Sequence, residues 1–268
     1  MTLPLFLLAA MADPAALSPT GKWVVEYDQN MCVLSRAYGA GPDAVTLALR
    51  PWPMSNETEV VLLTEGKAPT VQGGHAEISL LPSGHTTNGT FTRYAMPKGA
   101  PGRIATLHFD DGALDGLTTA TAVTVRLGDG AARNREVHSG TIPGIAGAMH
   151  ALEACQKDLL KSWGIDPDER AKLSRLPGGN PARFFGAWNY PGEAIADHQQ
   201  GRTVAIASIG VDGRVVDCTV AATSGARVLD QQTCNVLKTN ARFSPALDMA
   251  GKPVASHLVV PVRWVLPD

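Results

Sequence analysis

The stretch DCTVAATSGARVLDQQTC, residues 217–234, changes from a strand pattern to a helix pattern within one short segment. Its first half alternates, so Cys218 shares a face with Val216 and Val220, and we expect a helix to cover that face. In its second half apolar residues recur at helical spacing, with Cys234 beside them. A strand packed under a helix brings two such cysteines within bonding range. The segment therefore predicts a Cys218–Cys234 disulfide.

The residues around this stretch predict a small sheet. RTVAIASIGVDG and RVVDCTVAATSG read as two strands, and the Asp-Gly pair of VDGR favours a tight hairpin between them. YPGEAIADHQQG predicts a short helix with Pro191 near its first turn. HLVVPVRWVLP predicts a final strand, and Pro261 places that strand at a sheet edge or at a bulge because proline lacks an N–H.

The final strand has two faces. One face carries Leu258, Val260, Val262, Trp264 and Leu266, and the other carries His257, Val259, Pro261, Arg263 and Val265.

The front of the chain, residues 20–147, predicts an all-β domain. Short apolar runs are divided by turn residues at the spacing of an antiparallel sandwich or barrel. The runs are KWVVEYD, MCVLSRAYG, AVTLALRPW, TEVVLLTEG, HAEISLLPSG, TFTRYAMP, RIATLHFDDG and TAVTVRLGDG.

A helix and a linker, residues 148–186, follow the β-rich part. In AGAMHALEACQKDLLKSWGID the apolar residues lie on one stripe that includes Cys155, and Gly164 ends the helix. We expect Cys155 to bond with Cys32 of an early strand and to clamp the helix to the sheet. The alternative is that both are buried free thiols.

Composition and charge exclude some functions. The chain of 268 residues has 23 basic and 25 acidic residues and no polybasic run, which argues against nucleic-acid binding. Leu3–Ala10 is too short to span a membrane, but it has the length of a signal-peptide core, and Ala10-Met11-Ala12 fits a cleavage site. We therefore expect residues 1–12 to be a signal peptide and the protein to be periplasmic, although the first residues lack Lys and Arg. The alternatives are a buried N-terminal strand and a wrongly assigned start codon.

No known catalytic motif is present. G-x-S-x-G, P-loop, G-x-G-x-x-G and H-E-x-x-H patterns are all missing, so the sequence predicts no enzyme, no cofactor and no metal. HFDDGALDG gathers His108, Asp110, Asp111 and Asp115, but an exposed turn explains it better than a metal site. In HSGT, His138 and Ser139 are neighbours in a strand and point in opposite directions, so they do not form a catalytic pair.

The region from about Trp188 to Leu266 resembles the C-terminal domain of TonB, the periplasmic energy transducer. The matching segments are NYPGEAI, GRTV, VDGRVVDCTVAATSG, LDQQTCNVLKTNARFSPALDMAGKPV and VVPVRWVL. Their order is specific: Tyr-Pro, hairpin, Ser-Gly, Leu-Asp, Arg-Phe-x-Pro-Ala and Gly-Lys-Pro.

The resemblance implies a β-β-α-β domain, residues 187–268, with a three-stranded antiparallel sheet, in an α+β protein overall. It implies binding by strand addition, in which the last strand receives an extended segment of an outer-membrane transporter or another envelope protein. The expected interface is His257, Leu258, Val259, Val260, Pro261, Val262, Arg263, Trp264 and Val265. Complete transducers also have a membrane anchor and a Pro-rich spacer, whereas here a β-rich segment precedes the domain.

Three functions follow as alternatives. The first is a periplasmic binding protein that supports TonB-dependent transport. The second is a transducer that borrows its anchor from a partner. The third is a hydrolase with a dispersed active site in the N-terminal β domain.

Overall fold

The computed structural model describes residues 16–28, 31–54, 58–66, 72–96, 102–109, 112–128 and 135–266, without the side chains of Asp28 and Arg135. The expected signal peptide, residues 1–12, lies outside these ranges. The fold is mixed α/β and mostly strands. Within the described ranges, no helix has the length and apolar character needed to cross a membrane.

The described strands and helices are β1 (Val24–Asp28), β2 (Met31–Tyr38), β3 (Val45–Pro51), β4 (Thr58–Thr64), β5 (Gln72–Leu81), β6 (His85–Ala95), β7 (Arg103–Phe109), β8 (Ala122–Gly128), β9 (Arg135–Thr141), α1 (Ile145–Ser162), β10 (Leu173–Arg175), α2 (Gly192–Ala196), β11 (Gly201–Ile209), β12 (Val215–Ala222), α3 (Arg227–Asn240), β13 (Ala246–Asp248), β14 (Pro253–Val254) and β15 (Ser256–Trp264).

The chain divides into two compact units. The first takes in the residues up to Val24, Ser35–Leu49 and Glu59–Met149. The second takes in Val25–Leu34, Arg50–Thr58 and His150–Asp268.

One large curled sheet characterises the N-terminal part. Its strand order is β1-β2-β3-β4-β7-β6-β5-β8-β9. Each of the eight apolar runs predicted from the sequence contributes a strand, β1 to β8. The prediction named a sandwich or a barrel. The structure has a single sheet whose curl approaches a barrel.

Two isolated bridges draw the first unit together at the ends of the sheet. Leu17 bridges to Gly140 of β9, and Pro19 bridges to Tyr38 of β2. Tyr38 packs over Gly140, where an added Cβ would come within 2.8 Å of the Tyr38 ring. The glycine therefore leaves room for a buried aromatic ring, and burial raises the pKa of the Tyr38 hydroxyl to about 12.

A polar cluster lies on the concave face of the curl. Arg93 of β6 and Glu136 of β9 approach to 2.5 Å, although β5 and β8 separate their strands in the sheet. Strands lie about 4.8 Å apart, so these side chains meet only across the hollow of the curl. His138 lies 2.7 Å and Arg103 lies 3.7 Å from the same carboxylate. The hydrogen bond from His138, with the charges of both arginines, lowers the pKa of Glu136 to about 2 despite burial.

The second unit is built on a three-stranded antiparallel sheet of order β12-β11-β15. One face of this sheet packs against α3, and its core includes Ala205, Val260, Leu229 and Leu237. The opposite face carries Val204, Ile206, Ala222 and Val259, which cluster with Met54, Leu160 and Ile165. The sheet is thus buried on both sides, which explains why both faces of its central strand are apolar.

A disulfide fastens α1 within the second unit. Cys155 of α1 is bonded to Cys32 of β2, with 6.1 Å between the Cα atoms. The alternative of two free thiols is wrong for the structure. The Tyr27 hydroxyl donates to the Cys155 carbonyl oxygen at 3.3 Å, so a hydrogen bond accompanies the covalent link.

Three short strands add a second small sheet, in the order β10-β13-β14. The sequence patterns did not predict these strands. Two of them, β13 and β14, stand between α3 and the last strand, so the C-terminal region is more elaborate than four successive elements. The short helix α2 begins directly after Pro191, as predicted.

Candidate functional site

The last strand, β15, is an edge strand. It pairs with β11 along its whole length, from Gly201 opposite Trp264 to Ile209 opposite Ser256. Among the strands that the structure describes, β15 has no second neighbour. The expectation that Pro261 marks an edge strand is therefore confirmed.

The backbone groups of β15 alternate in direction. The N–H of His257 donates to Glu169 Oε1 at 2.8 Å, so it points away from β11. The peptide groups of Val259, Pro261 and Arg263 share this outward direction because N–H and C=O groups alternate along a strand. Pro261 thus stands where a missing N–H costs the sheet no hydrogen bond.

The predicted faces of β15 match the structure. Four residues of one face, Leu258, Val260, Val262 and Trp264, are buried in the core beneath α3, and Leu266 packs against that core. On the other face Val259 is buried, His257 and Pro261 are half-buried, and Arg263 and Val265 are exposed. Most side chains of the expected interface are therefore occupied in the core, and the outer side of this strand presents mainly backbone groups.

Trp264 holds β15 in place from the inner side. Its Nε1 donates to the buried Thr233 hydroxyl of α3 at 3.0 Å. Its ring makes edge-to-face contacts with Phe185 and Tyr190, with centroids 5.8 and 5.4 Å apart. These contacts fix the end of the edge strand from within the domain.

One disulfide and one ion pair join β12, the edge strand opposite β15, to α3. Cys218 and Cys234 form the expected disulfide, with a Cα separation of 5.5 Å. The carboxylate of Asp217 lies 3.3 Å from the Lys238 ammonium. One detail of the prediction is wrong: Val216 is exposed, because the pairing of β11 and β12 is irregular between Ser208 and Ile209, and Val215 takes the core position instead.

A family comparison agrees with this geometry. The family model of the Gram-negative bacterial TonB protein C-terminal matches residues 187–266. The predicted TonB resemblance is confirmed for this part of the chain. The match covers under a third of the 268 residues. No curated protein matches this chain.

Asp230 is the polar centre of the TonB-like domain. It belongs to the Leu-Asp element of the motif and lies in the first turn of α3. Its carboxylate accepts hydrogen bonds from the hydroxyls of Thr203 at 2.8 Å and Thr223 at 2.5 Å, and from the Ser224 N–H at 2.8 Å. Burial acts to raise the pKa of Asp230, but these hydrogen bonds outweigh it and lower the pKa below its usual value. The carboxylate thus ties the start of α3 to β11 and to the Ser-Gly turn.

Within the described residues, His138 and Ser139 of the front part do not form a catalytic pair. His138 bonds to Glu136, whereas the Ser139 hydroxyl bonds to Thr124 at 2.9 Å, so the two neighbours face different partners. Asp110 and Asp111 lie outside the described residues. Among the residues that the structure describes, no group of three or more His, Cys, Asp or Glu side chains has the arrangement of a metal site.

Sequence reasoning missed one residue of the edge, Glu169. It lies 88 positions before His257, in the segment that was interpreted as a linker. No local pattern indicates this pairing.

Proposed function

We propose that the TonB-like domain binds an extended segment of a partner protein as an additional strand on the outer edge of β15. The observation that carries the proposal is the outward row of backbone groups on β15, which has one neighbour among the described strands and is held from within by Trp264. Main-chain hydrogen bonds supply affinity in this binding mode. The proposed interface is His257–Val265.

We propose that the partner is an extended segment of an outer-membrane transporter or of another envelope protein, and that the chain works in the periplasm. The TonB family match supports the envelope. Two disulfides support an oxidising compartment, because such bonds persist outside the cytosol. In this location the protein supports TonB-dependent transport as a binding component and not as an enzyme.

Backbone-modified peptides test strand addition directly. A synthetic peptide carrying the TonB box of an outer-membrane transporter is titrated into the oxidised, ¹⁵N-labelled full-length chain. Two further peptides carry N-methyl groups on alternate residues, in the two possible phases. N-methylation removes N–H donors without changing side chains, so one phase should abolish binding while the other phase binds like the parent peptide.

Amide shifts locate the contact. We expect the largest shift at Val259, whose N–H group points outward, and smaller shifts along β12. No binding at about millimolar peptide, or equal binding by both N-methylated phases, would contradict strand addition on β15.

A further inference from the structure

A cleft of about 330 Å³ opens in the second unit, between α1 and the segment Pro51–Met54 at the end of β3. Its volume lies within the range of about 300–1,000 Å³ that is typical of small-molecule sites in proteins. The described residues that line it all belong to the second unit. The cleft therefore has the size of a ligand site within a single compact unit.

The base of the cleft is apolar. Met54 and Leu160 line it, and both are buried in the cluster that covers the outer face of the three-stranded sheet. The backbone of Met54 has a φ of 58°, in the left-handed region that residues with a side chain rarely adopt. Such conformations persist only where the surroundings hold them, and they are common at ligand sites. This base therefore suits an apolar group.

One wall of the cleft is built from Pro51, Trp52 and Pro53. The Trp52 side chain is buried, and the guanidinium of Arg202 lies over its ring, 4.5 Å from the centroid. Gln156 of α1 donates from Nε2 to the Pro51 carbonyl oxygen at 3.4 Å. Because proline fixes its own φ and the tryptophan ring is held from β11, the wall is formed in advance of any ligand.

Charged groups of both signs line the same cleft. Glu153 and Lys157 lie one turn apart on α1, with Glu153 Oε1 3.3 Å from Lys157 Nζ. Lys157 Nζ also lies 3.8 Å from the Asp168 carboxylate, and Arg170 lines the cleft as a second cation. A pair such as Glu153–Lys157, with both side chains about half exposed, stabilises a helix only slightly and separates at little cost. These charges favour a ligand that carries both signs, since a ligand of one sign meets a repelling group.

We propose that this cleft binds a free α-amino acid with a large apolar side chain. An α-amino acid carries its ammonium and its carboxylate on one carbon, so its two charges are as close together as those of Glu153 and Lys157. The ammonium meets Glu153 and the carboxylate meets Lys157, while the side chain lies against Met54 and Leu160. A small side chain would leave most of the cleft empty. This site is independent of strand addition to β15.

A polypeptide does not meet the same requirement. Its ammonium and its carboxylate lie at opposite ends of the chain, so it cannot offer both charges to one pair of side chains. An uncharged apolar ligand makes no use of the pair. Both of these alternatives predict that blocking one charge of an amino acid leaves its affinity unchanged.

The experiment measures binding of L-phenylalanine to the oxidised full-length chain by titration calorimetry. Three analogues each lack one feature: N-acetyl-L-phenylalanine lacks the ammonium, L-phenylalaninamide lacks the carboxylate, and L-alanine lacks the large side chain. The titrations are made at about pH 6, where the amide analogue keeps its ammonium charge. We expect each analogue to bind at least about ten-fold more weakly than L-phenylalanine, because each loses a charge-assisted hydrogen bond or the burial of the apolar group.

Two variants assign the charges. Lys157→Gln should weaken L-phenylalanine about ten-fold without weakening L-phenylalaninamide, which has no carboxylate to lose a partner. Glu153→Gln should do the same for L-phenylalanine without weakening N-acetyl-L-phenylalanine. The matched control is Lys161→Gln, since Lys161 forms an exposed pair with Asp158 on the same helix at 3.2 Å. This control should bind like wild type.

Three results would overturn the site. The first is no binding of L-phenylalanine to wild type at about millimolar concentration. The second is equal affinity for L-phenylalanine and its two blocked analogues, which needs no variant to observe. The third is an equal loss of affinity in Lys157→Gln and Lys161→Gln. None of these results bears on the TonB-box titration, so the site and the proposed function fail separately.

Discussion

The Asp230 carboxylate shows how much one buried side chain stabilises in this fold. Asp230→Ala leaves the buried Thr203 hydroxyl and the Ser224 N–H without their acceptor. We expect a loss of about 2–4 kcal/mol in the free energy of unfolding, because unsatisfied buried polar groups retain their full desolvation cost. Urea unfolding followed by circular dichroism measures it. The control Asn235→Ala changes an exposed residue of the same helix, so its free energy of unfolding should stay near the wild-type value. An equal loss in both variants would refute the stabilising role of Asp230.

Glu136 predicts a pH dependence for the first unit. Its pKa falls from 4.5 to about 2 on folding, so the folded state holds the carboxylate charged where the unfolded chain takes up a proton. Its contribution is complete above about pH 4.5 and is lost as the pH falls to about 2, and it amounts to about 3 kcal/mol at most. Unfolding measured from pH 6 to 2.5 should show a shallower acid decline in Glu136→Gln than in wild type. The exposed control Glu65→Gln should follow wild type, and an unchanged decline in Glu136→Gln would contradict the prediction.

At the scale of elements, the two disulfides differ in the loops that they close. The Cys218–Cys234 bond has a sequence separation of 16 and the Cys32–Cys155 bond one of 123. The chain-entropy model assigns them roughly 3 and 5 kcal/mol. Calorimetry of the two paired Cys→Ala variants should therefore show a lower melting temperature in both, with the larger fall for Cys32/Cys155. Two results would refute the disulfide link between β12 and α3. One is an unchanged melting temperature in the Cys218/Cys234 variant, and the other is alkylation of these two cysteines in the native wild-type protein.

Strands were predictable where their inward side is apolar. Strand β9 was not predicted because its inward side is not apolar. Glu136 pairs with Arg93 and His138, and Gly140 makes room for the Tyr38 ring. Their burial depends on residues from distant strands, so no hydrophobic alternation appears in β9 itself. The predicted face of Val216 is wrong for a related reason. A pairing irregularity shifts the faces of β12, and no glycine or proline indicates it.

At the scale of the whole molecule, local sequence patterns predicted the main elements of the C-terminal part. They did not predict the strand order of the front part. The hairpin, the Pro191 helix start and the alternation of β15 are all written within short segments. In the large sheet, β4 pairs with β7, while β5 pairs with β6 and β8. This order is decided by contacts far apart in sequence, which no single segment encodes. The same holds for Glu169 and His257 at the candidate binding edge.

Export is the prediction that joins these features in the cell. The apolar run Leu3–Ala10 and the Ala10-Met11-Ala12 site predict cleavage, and the two disulfides of the structure require an oxidising compartment to persist. We therefore expect the mature chain to begin near Asp13 in the periplasm. N-terminal sequencing of protein from separated envelope and cytosolic fractions measures this, and Ala10→Glu supplies the control, since a charged residue at the small-residue position should block cleavage. Recovery of wild-type protein with an intact Met1 from the cytosolic fraction would contradict the prediction. It would also leave both disulfides, including the Cys218–Cys234 bond between β12 and α3, in a compartment that reduces them.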